Sequence, residues 1–148
     1  MTLDALLPRT GWRLLALALI VTAIVYWPGL YGSWLFDDYP NIVDNHGVQP
    51  AQGDLPTLIG AALSSPASDF KRPLASLSFA ANYLAAGLDP LWMKLTNLVI
   101  HLLNGLLVFL LARALLKLGV DDRGKQRAGN LAALIAMAWL LLDRKSVV

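Results

Sequence analysis

The sequence contains no cysteine, no glutamate and few charged residues. Without cysteine, disulfide bonds and thiolate metal sites are excluded. Charged residues make up 15% of the chain and hydrophobic residues 57%, whereas about 25% charged is usual for a soluble domain. The formal net charge is only +2, so we expect no nucleic-acid partner. The composition therefore favours a protein embedded in a lipid bilayer.

Three apolar runs determine the predicted fold. Residues 91–118 exceed the roughly 20 residues that a transmembrane helix needs, and residues 12–27 approach that length. A third run, 129–142, stops early at a charged tail, 143–148. We predict an all-α integral membrane protein with two full transmembrane helices and a partial third. We also expect the tail to be foreign sequence and the chain to be a fragment of one transmembrane domain.

The distribution of basic residues predicts the orientation. Arg9 and Arg13 precede the first run and a basic cluster lies between residues 113 and 127, whereas most charges in the segment 28–90 are aspartates. By the positive-inside rule, the N-terminus is cytoplasmic and 28–90 is an external loop. The expected location is the bacterial inner membrane. A cleaved signal peptide is the alternative for the first run, but Trp27-Pro28-Gly29 lacks the small residues of a cleavage site.

The external loop has the signals of short helices. After an irregular stretch at 34–53, Asp54 is placed to cap an amphipathic helix over 55–63 that is too short to cross a bilayer. A second helix is predicted over 74–86. Asp89, followed by proline, is then a predicted N-cap for the second long helix. Between the second and third runs, a charged loop is predicted.

Asp37 and Asp38 are adjacent carboxylates just beyond the first apolar run. Acids at the mouth of a membrane segment are costly to leave without a partner and indicate chemistry or a bound cation. One carboxylate of such a pair is suited to take a proton from an acceptor hydroxyl. The alternative is a solvated turn or a helix cap. The sequence leaves open whether a divalent cation is a cofactor.

Lys71 and Arg72 stand immediately before the predicted helix that Pro73 opens. The N-terminal end of a helix favours an anion, and arginine binds phosphate through two parallel hydrogen bonds. This arrangement predicts that Lys71 and Arg72 bind a phosphate group of the substrate. The alternative is that both cations pair with Asp69 or with lipid headgroups.

A polar stripe follows the second apolar run, at a spacing that puts its members on one helix face. Its members are Lys94, Asn97, His101, Asn104 and Gly105. Polar groups on one face of a membrane helix point into a bundle or a cavity. We predict that His101 takes part in substrate binding, with packing between helices as the alternative for the whole stripe.

The order of these motifs resembles the N-terminal part of the lipid-sugar-dependent (GT-C) glycosyltransferases. It is most similar to the protein O-mannosyltransferase branch and its relatives with tetratricopeptide repeats. The matching segments, in order, are Phe36-Asp37-Asp38, Arg72-Pro73-Leu74, Asn82-Tyr83-Leu84, Gly87-Leu88-Asp89-Pro90 and Leu95 to Asn104.

This resemblance implies an enzyme that transfers a sugar from a polyprenyl-phosphate carrier to an acceptor hydroxyl of a protein or glycan, on the non-cytoplasmic face. By position, Asp37 would be the general base, Asp38 a second catalytic acid and Arg72 the phosphate ligand. The sequence departs from the family after the third run, where Asp143-Arg144 replaces the usual His-Pro pair. The isolated chain is expected to be inactive. The alternative is a small non-catalytic membrane protein that acts through helix–helix interactions.

Overall fold

The computed structural model describes residues 10–67, 69–118 and 122–142. Within these ranges all regular structure is helical and no β-strand occurs, which confirms the all-α prediction. The α-helices are α1 (Thr10–Tyr26), α2 (Leu55–Ala62), α3 (Pro73–Ala86), α4 (Pro90–Leu116) and α5 (Asp122–Leu142). Shorter helical turns lie between α1 and α2, at Trp27–Tyr31, Tyr39–Val43 and His46–Val48.

Two of the described helical segments are long and apolar enough to span a membrane. They are Thr10–Tyr31, with 22 residues, and Pro90–Leu116, with 27 residues. A shorter apolar helix, Arg127–Leu142, forms most of α5. Both long segments expose large aliphatic side chains, such as Ile24 and Leu107, as expected for surfaces that face lipid. The prediction of two long apolar helices and a shorter third is confirmed, and that they cross a bilayer stays a prediction.

Helix ends in the first half of the chain follow from local chemistry. The α-helix α1 ends at Tyr26, because Pro28 has no N–H for the helical ladder and its ring disfavours α-helical geometry in Trp27, where the tighter turn Trp27–Tyr31 begins. Asp54 is the N-cap residue of α2, although its side chain makes no capping hydrogen bond. Helix α3 stops at Gly87, which has a φ of 68° and donates its N–H to the Tyr83 carbonyl over 2.8 Å.

Helices α4 and α5 have different bounds from those predicted. Asp89 caps α4 as expected, with Oδ1 accepting the Leu91 N–H over 2.9 Å, but α4 ends at Leu116. Helix α5 already begins at Asp122, so the end of the predicted loop is helical. The segment 122–128 is rich in arginine, lysine, glutamine and alanine, which are strong helix formers. The tail 143–148 lies outside the described residues.

The chain divides into two compact units. The first contains α1, α5 and the part of α4 from Asn97 onward. In this unit α1 packs against α5, and Phe109 of α4 is fully buried. The buried residues of α1 recur at three- and four-residue intervals, as on one helix face: Gly11, Leu15, Ala18, Thr22 and Tyr26. The alanines 132, 133 and 136 of α5 complete this core.

The second unit comprises residues 29–96. Here α2 packs against α3, and both contact the helical turn His46–Val48. The predicted irregular stretch 34–53 is therefore partly helical. Thr96, on the first part of α4, donates its hydroxyl to Asn82 Oδ1 on α3 over 2.9 Å. This hydrogen bond joins the two helices on either side of Gly87.

Candidate functional site

Asp37 and Asp38 lie in a tight turn that begins at Leu35. The Leu35 N–H donates to Asp38 Oδ2 over 2.9 Å, and the Asp38 N–H donates to the Leu35 carbonyl over 2.7 Å. A short acidic side chain that accepts a nearby backbone N–H stabilises such turns. Asp38 is also the N-cap residue of the helical turn Tyr39–Val43. One oxygen of Asp38 is therefore engaged in holding the turn.

The Asp37 carboxylate is in a different situation. Its side chain is exposed, and its backbone carbonyl accepts a hydrogen bond from Asn41 Nδ2 over 2.7 Å. Within the described ranges, no hydrogen bond or ion pair engages the carboxylate itself. The turn thus holds the backbone of Asp37 and leaves its side chain open to an incoming group. Of the two acids, Asp37 is the better placed to accept a proton from a substrate.

Exposed aromatic side chains surround this turn in the sequence. Phe36 is 90% exposed, Tyr31 is 69% exposed and Tyr39 is 46% exposed. Tyr31 also ends the first segment capable of spanning a membrane. Aromatic residues with a polar end concentrate at the boundary between membrane and water. Tyr31 and Tyr39 are residues of this kind, and Phe36 adds an exposed apolar ring beside them.

Lys71 and Arg72 directly precede α3, as predicted. Both side chains are exposed, and both residues have left-handed backbone conformations, with φ of 60° and 39°. Such a conformation costs about 1–2 kcal/mol for each residue that is not glycine. In the part of the chain that the structure describes, neither cation pairs with Asp69, so that half of the pairing alternative is not observed. Both side chains are available to an anion from outside.

His101 lies in the other unit, on α4. It is only 1% exposed, and its Nε2–H donates to the Leu140 carbonyl over 3.0 Å. Its ring stacks on Trp139, with a centroid distance of 5.0 Å, and meets the edge of Tyr26 at 5.6 Å. These contacts join α1, α4 and α5. They are the contacts of a residue that packs helices together, which was the alternative to its predicted role in substrate binding.

The remaining members of the polar stripe differ in exposure. Lys94 and Gly105 are buried, Asn97 is half-buried and Asn104 is exposed. The sequence assigns no function to Lys94, yet its Nζ donates to the carbonyls of two residues in the segment just before Asp37. The sequence does contain a signal for this role, because a cation inside an apolar helix needs a polar partner.

The described residues include no group of three or more histidine or acidic side chains that could hold a metal ion.

The second unit contains a cavity of about 340 Å³ at the end of α3 and the start of α4, lined by Asn82, Ala85, Ala86 and Trp92. No hydrogen bond or ion pair in the described ranges links the acidic pair to Lys71 or Arg72. In the second unit the predicted site residues thus form two separate clusters, Asp37 with Asp38 and Lys71 with Arg72.

Comparison with known proteins supports a relationship to protein O-mannosyl-transferases. The chain is 34% identical over 125 residues to protein O-mannosyl-transferase Tmtc1 of Drosophila melanogaster, which covers 80% of this chain and 15% of the relative. It is 30% identical over 138 residues to protein O-mannosyl-transferase TMTC3 of Mus musculus, and the match covers 89% of this chain and 14% of the relative. Protein O-mannosyl-transferase TMTC3 of Homo sapiens is 36% identical over 88 residues, and the match covers 55% of this chain and 9% of the relative.

The chain therefore spans at most 15% of the length of these curated relatives. No family model matches the chain, and no solved structure matches it. The relatives are animal proteins, so the bacterial location stays a prediction. Together with the two long apolar helices, the similarity indicates a membrane-located chain related to a small part of the O-mannosyl-transferases.

Proposed function

We propose that this chain is part of a membrane glycosyltransferase in which Asp37 is the general base. The enzyme transfers a sugar from a polyprenyl-phosphate carrier to an acceptor hydroxyl, on the non-cytoplasmic face of the membrane. The observation that carries the proposal is the exposed Asp37 carboxylate, held in a turn by Asp38 and open to substrate. The similarity to proteins named O-mannosyl-transferases supports the reaction class.

The reaction needs one proton acceptor and one stabilised leaving group. The acceptor oxygen attacks the anomeric carbon of the sugar, and the bond from that carbon to the phosphate oxygen breaks. The electron pair leaves with the polyprenyl phosphate, and the hydroxyl proton passes to Asp37. A general base contributes about 100-fold to 10,000-fold to such a step when it lies within hydrogen-bond reach of the proton. The Ser or Thr hydroxyl of a protein is the expected acceptor, with a glycan as the alternative.

Lys71 and Arg72 are proposed to hold the carrier phosphate. Their side chains are exposed and have no ion-pair partner in the described part of the chain. The positive end of α3 begins at the next residue, Pro73. Cations and helix N–H groups that surround a leaving phosphate stabilise the charge that develops on it. The cost of two left-handed residues is consistent with a segment shaped for binding.

The test is the Asp37→Asn variant in the full-length protein, assayed for transfer from a polyprenyl-phosphate sugar. The amide keeps the shape of the side chain and removes the proton acceptor, so kcat should fall by about 100-fold or more. Asp44→Asn is the matched control, because Asp44 is an exposed aspartate of the same loop, and it should keep the parental rate. If Asp37→Asn retains transfer within a few-fold of the parent, Asp37 is not the base.

One observation favours the second candidate function, a non-catalytic membrane protein that acts through helix contacts. Asn104 is exposed although it lies inside the apolar helix α4. An amide in that position needs a polar partner on another helix. Under this function Asn104→Leu abolishes association in detergent, measured by cross-linking, while Asp37→Asn has no effect. Under the enzyme proposal Asp37→Asn abolishes transfer.

A further inference from the structure

Lys94 is a buried cation in the second unit. Its side chain is 5% exposed, and Nζ donates hydrogen bonds to the Ser33 carbonyl over 3.0 Å and to the Gly29 carbonyl over 3.4 Å. A lysine charge is costly to bury unless hydrogen bonds replace its water. Both acceptors belong to the segment that precedes Asp37. The lysine therefore connects the start of α4 to the loop of the candidate site.

The two carbonyls lie where helical structure ends. Gly29 belongs to the helical turn Trp27–Tyr31, and Ser33 lies two residues beyond its end, where backbone carbonyls have no partner within the turn. The Gly29 carbonyl accepts the Gly32 N–H over 3.1 Å in addition to Nζ. A lysine at the C-terminal end of a helix satisfies such carbonyls and interacts favourably with the helix dipole. Lys94 provides this cap from a distant part of the chain.

Gly32 makes room for the ammonium group. A Cβ atom added to Gly32 would lie 2.9 Å from Nζ of Lys94, and the backbone of Gly32 is not in the left-handed region. An alanine at this position is therefore compatible with the backbone, and it requires the ammonium group, at the flexible end of the lysine side chain, to shift. Gly29 offers the comparison, because a Cβ atom there would meet nothing within 4 Å.

The segment from Ser33 to Asp37 is short and ends in a constrained turn. Ser33 is fixed by Nζ, and the turn between Leu35 and Asp38 is closed by its own two hydrogen bonds. Only Trp34 separates these two points in the chain. We propose that Lys94 is a positioning residue, which fixes the turn after the first long helix and thereby holds the Asp37 carboxylate in place. The catalytic consequence depends on the function proposed above, in which Asp37 is the base.

The experiment uses the full-length protein, with any cysteine outside these 148 residues replaced by serine. A nitroxide label on Phe36→Cys reports the mobility of the loop, since residue 36 is 90% exposed and the chain has no other cysteine. Lys94→Met and Gly32→Ala should each increase the mobility of the label. Gly29→Ala and Thr96→Val, which alter a neighbouring glycine and a different polar contact of α4, should leave it unchanged.

Transfer kinetics, measured without the label, provide the second readout. A displaced base lowers kcat and leaves substrate binding intact, so Lys94→Met should lower kcat by about 10-fold to 100-fold with donor KM within threefold of the parent. Gly32→Ala shifts only the flexible end of the lysine and should lower kcat by less than Lys94→Met does. Lys94→Arg, which retains a cation and its donors, should recover part of the loss. Gly32→Ala removes no charge, so it still tests the contact between Lys94 and the turn if the Lys94→Met variant fails to fold.

The outcomes separate this proposal from the proposed function. Unchanged label mobility in both Lys94→Met and Gly32→Ala overturns the positioning role. An unchanged kcat in both variants also overturns it, provided that Asp37→Asn abolishes transfer. If Asp37→Asn keeps the parental kcat, the proposed function fails, and the label then decides alone whether Lys94 fixes the turn.

Discussion

A Cβ atom added to Gly11 would lie 2.7 Å from the carbonyl oxygen of Gly129. The two helices α1 and α5 therefore approach each other backbone to backbone at this point. Small residues allow such contacts between membrane helices, where packing rather than the hydrophobic effect drives association. The buried alanines 132, 133 and 136 continue the same close interface along α5.

Replacing Gly11 with alanine should weaken this helix pair. The new methyl group collides with backbone atoms of Gly129, which cannot rotate away as a side chain could. Overpacking of this kind costs about 1–3 kcal/mol of the free energy of unfolding, to be measured by denaturation in detergent micelles. Gly129→Ala is the control, because a Cβ atom there meets nothing within 4 Å. Equal destabilisation by both substitutions would show that the close contact does not determine stability.

Features set by neighbouring residues could be predicted from the sequence, and contacts between distant residues could not. Asp89 and Gly87 bound helices as expected, since a side-chain cap and a left-handed glycine act locally. The contact between Gly11 and Gly129 depends on how helices far apart in the chain meet. The bonds from Lys94 to the turn before Asp37 depend on the same kind of long-range contact.

The candidate site shows the same division. Adjacent aspartates in a loop were sufficient to predict the place of the acidic pair. The distinction between an engaged Asp38 and an open Asp37 depends on which carboxylate accepts the Leu35 N–H, and the two residue types are identical. The left-handed conformations of Lys71 and Arg72 run against the preference of residues with a Cβ atom, so no sequence rule predicts them.

Removal of the helix cap at Asp89 should destabilise the second unit. Asp89→Ala deletes the oxygen that accepts the Leu91 N–H, and the loss of such a cap costs about 0.5–2 kcal/mol. Thermal unfolding in detergent, followed by circular dichroism, measures the change. Asp54→Ala is a matched control, since Asp54 occupies the N-cap of α2 without a capping hydrogen bond from its side chain. A loss at Asp54 as large as that at Asp89 would contradict the assignment.

The hydrogen bond from Thr96 to Asn82 should appear as an energetic coupling between α3 and α4. Single substitutions Thr96→Val and Asn82→Ala each break the 2.9 Å bond, and the double variant removes both partners at once. A hydrogen bond between neutral side chains contributes about 0.5–1.5 kcal/mol, so the double-mutant cycle should yield a coupling of that size. Additive effects on the free energy of unfolding would mean that the bond does not form in the membrane protein.

Substitution of His101 distinguishes packing from substrate binding. Because the ring stacks on Trp139 and is 1% exposed, His101→Phe should keep the donor KM within threefold of the parent and lower stability by about 1–3 kcal/mol, through loss of the buried bond to Leu140. His101→Ala should cost more, since it also leaves a cavity. A donor KM raised tenfold or more by His101→Phe, with the fold intact, would support the predicted role in substrate binding.

Cysteine labelling tests the orientation on which the proposed reaction depends. Basic residues lie at the start of the first apolar run and just before the third, so residue 36 should lie outside and residue 125 inside. In intact cells a maleimide that cannot cross the membrane should label Phe36→Cys, while Lys125→Cys should react only after permeabilisation. Asp44→Cys, at another exposed position of the predicted external loop, should be labelled in intact cells like residue 36. Protection of residue 36 in intact cells, with labelling after permeabilisation, would place Asp37 on the cytoplasmic side, where the carrier sugar proposed as donor would not meet it.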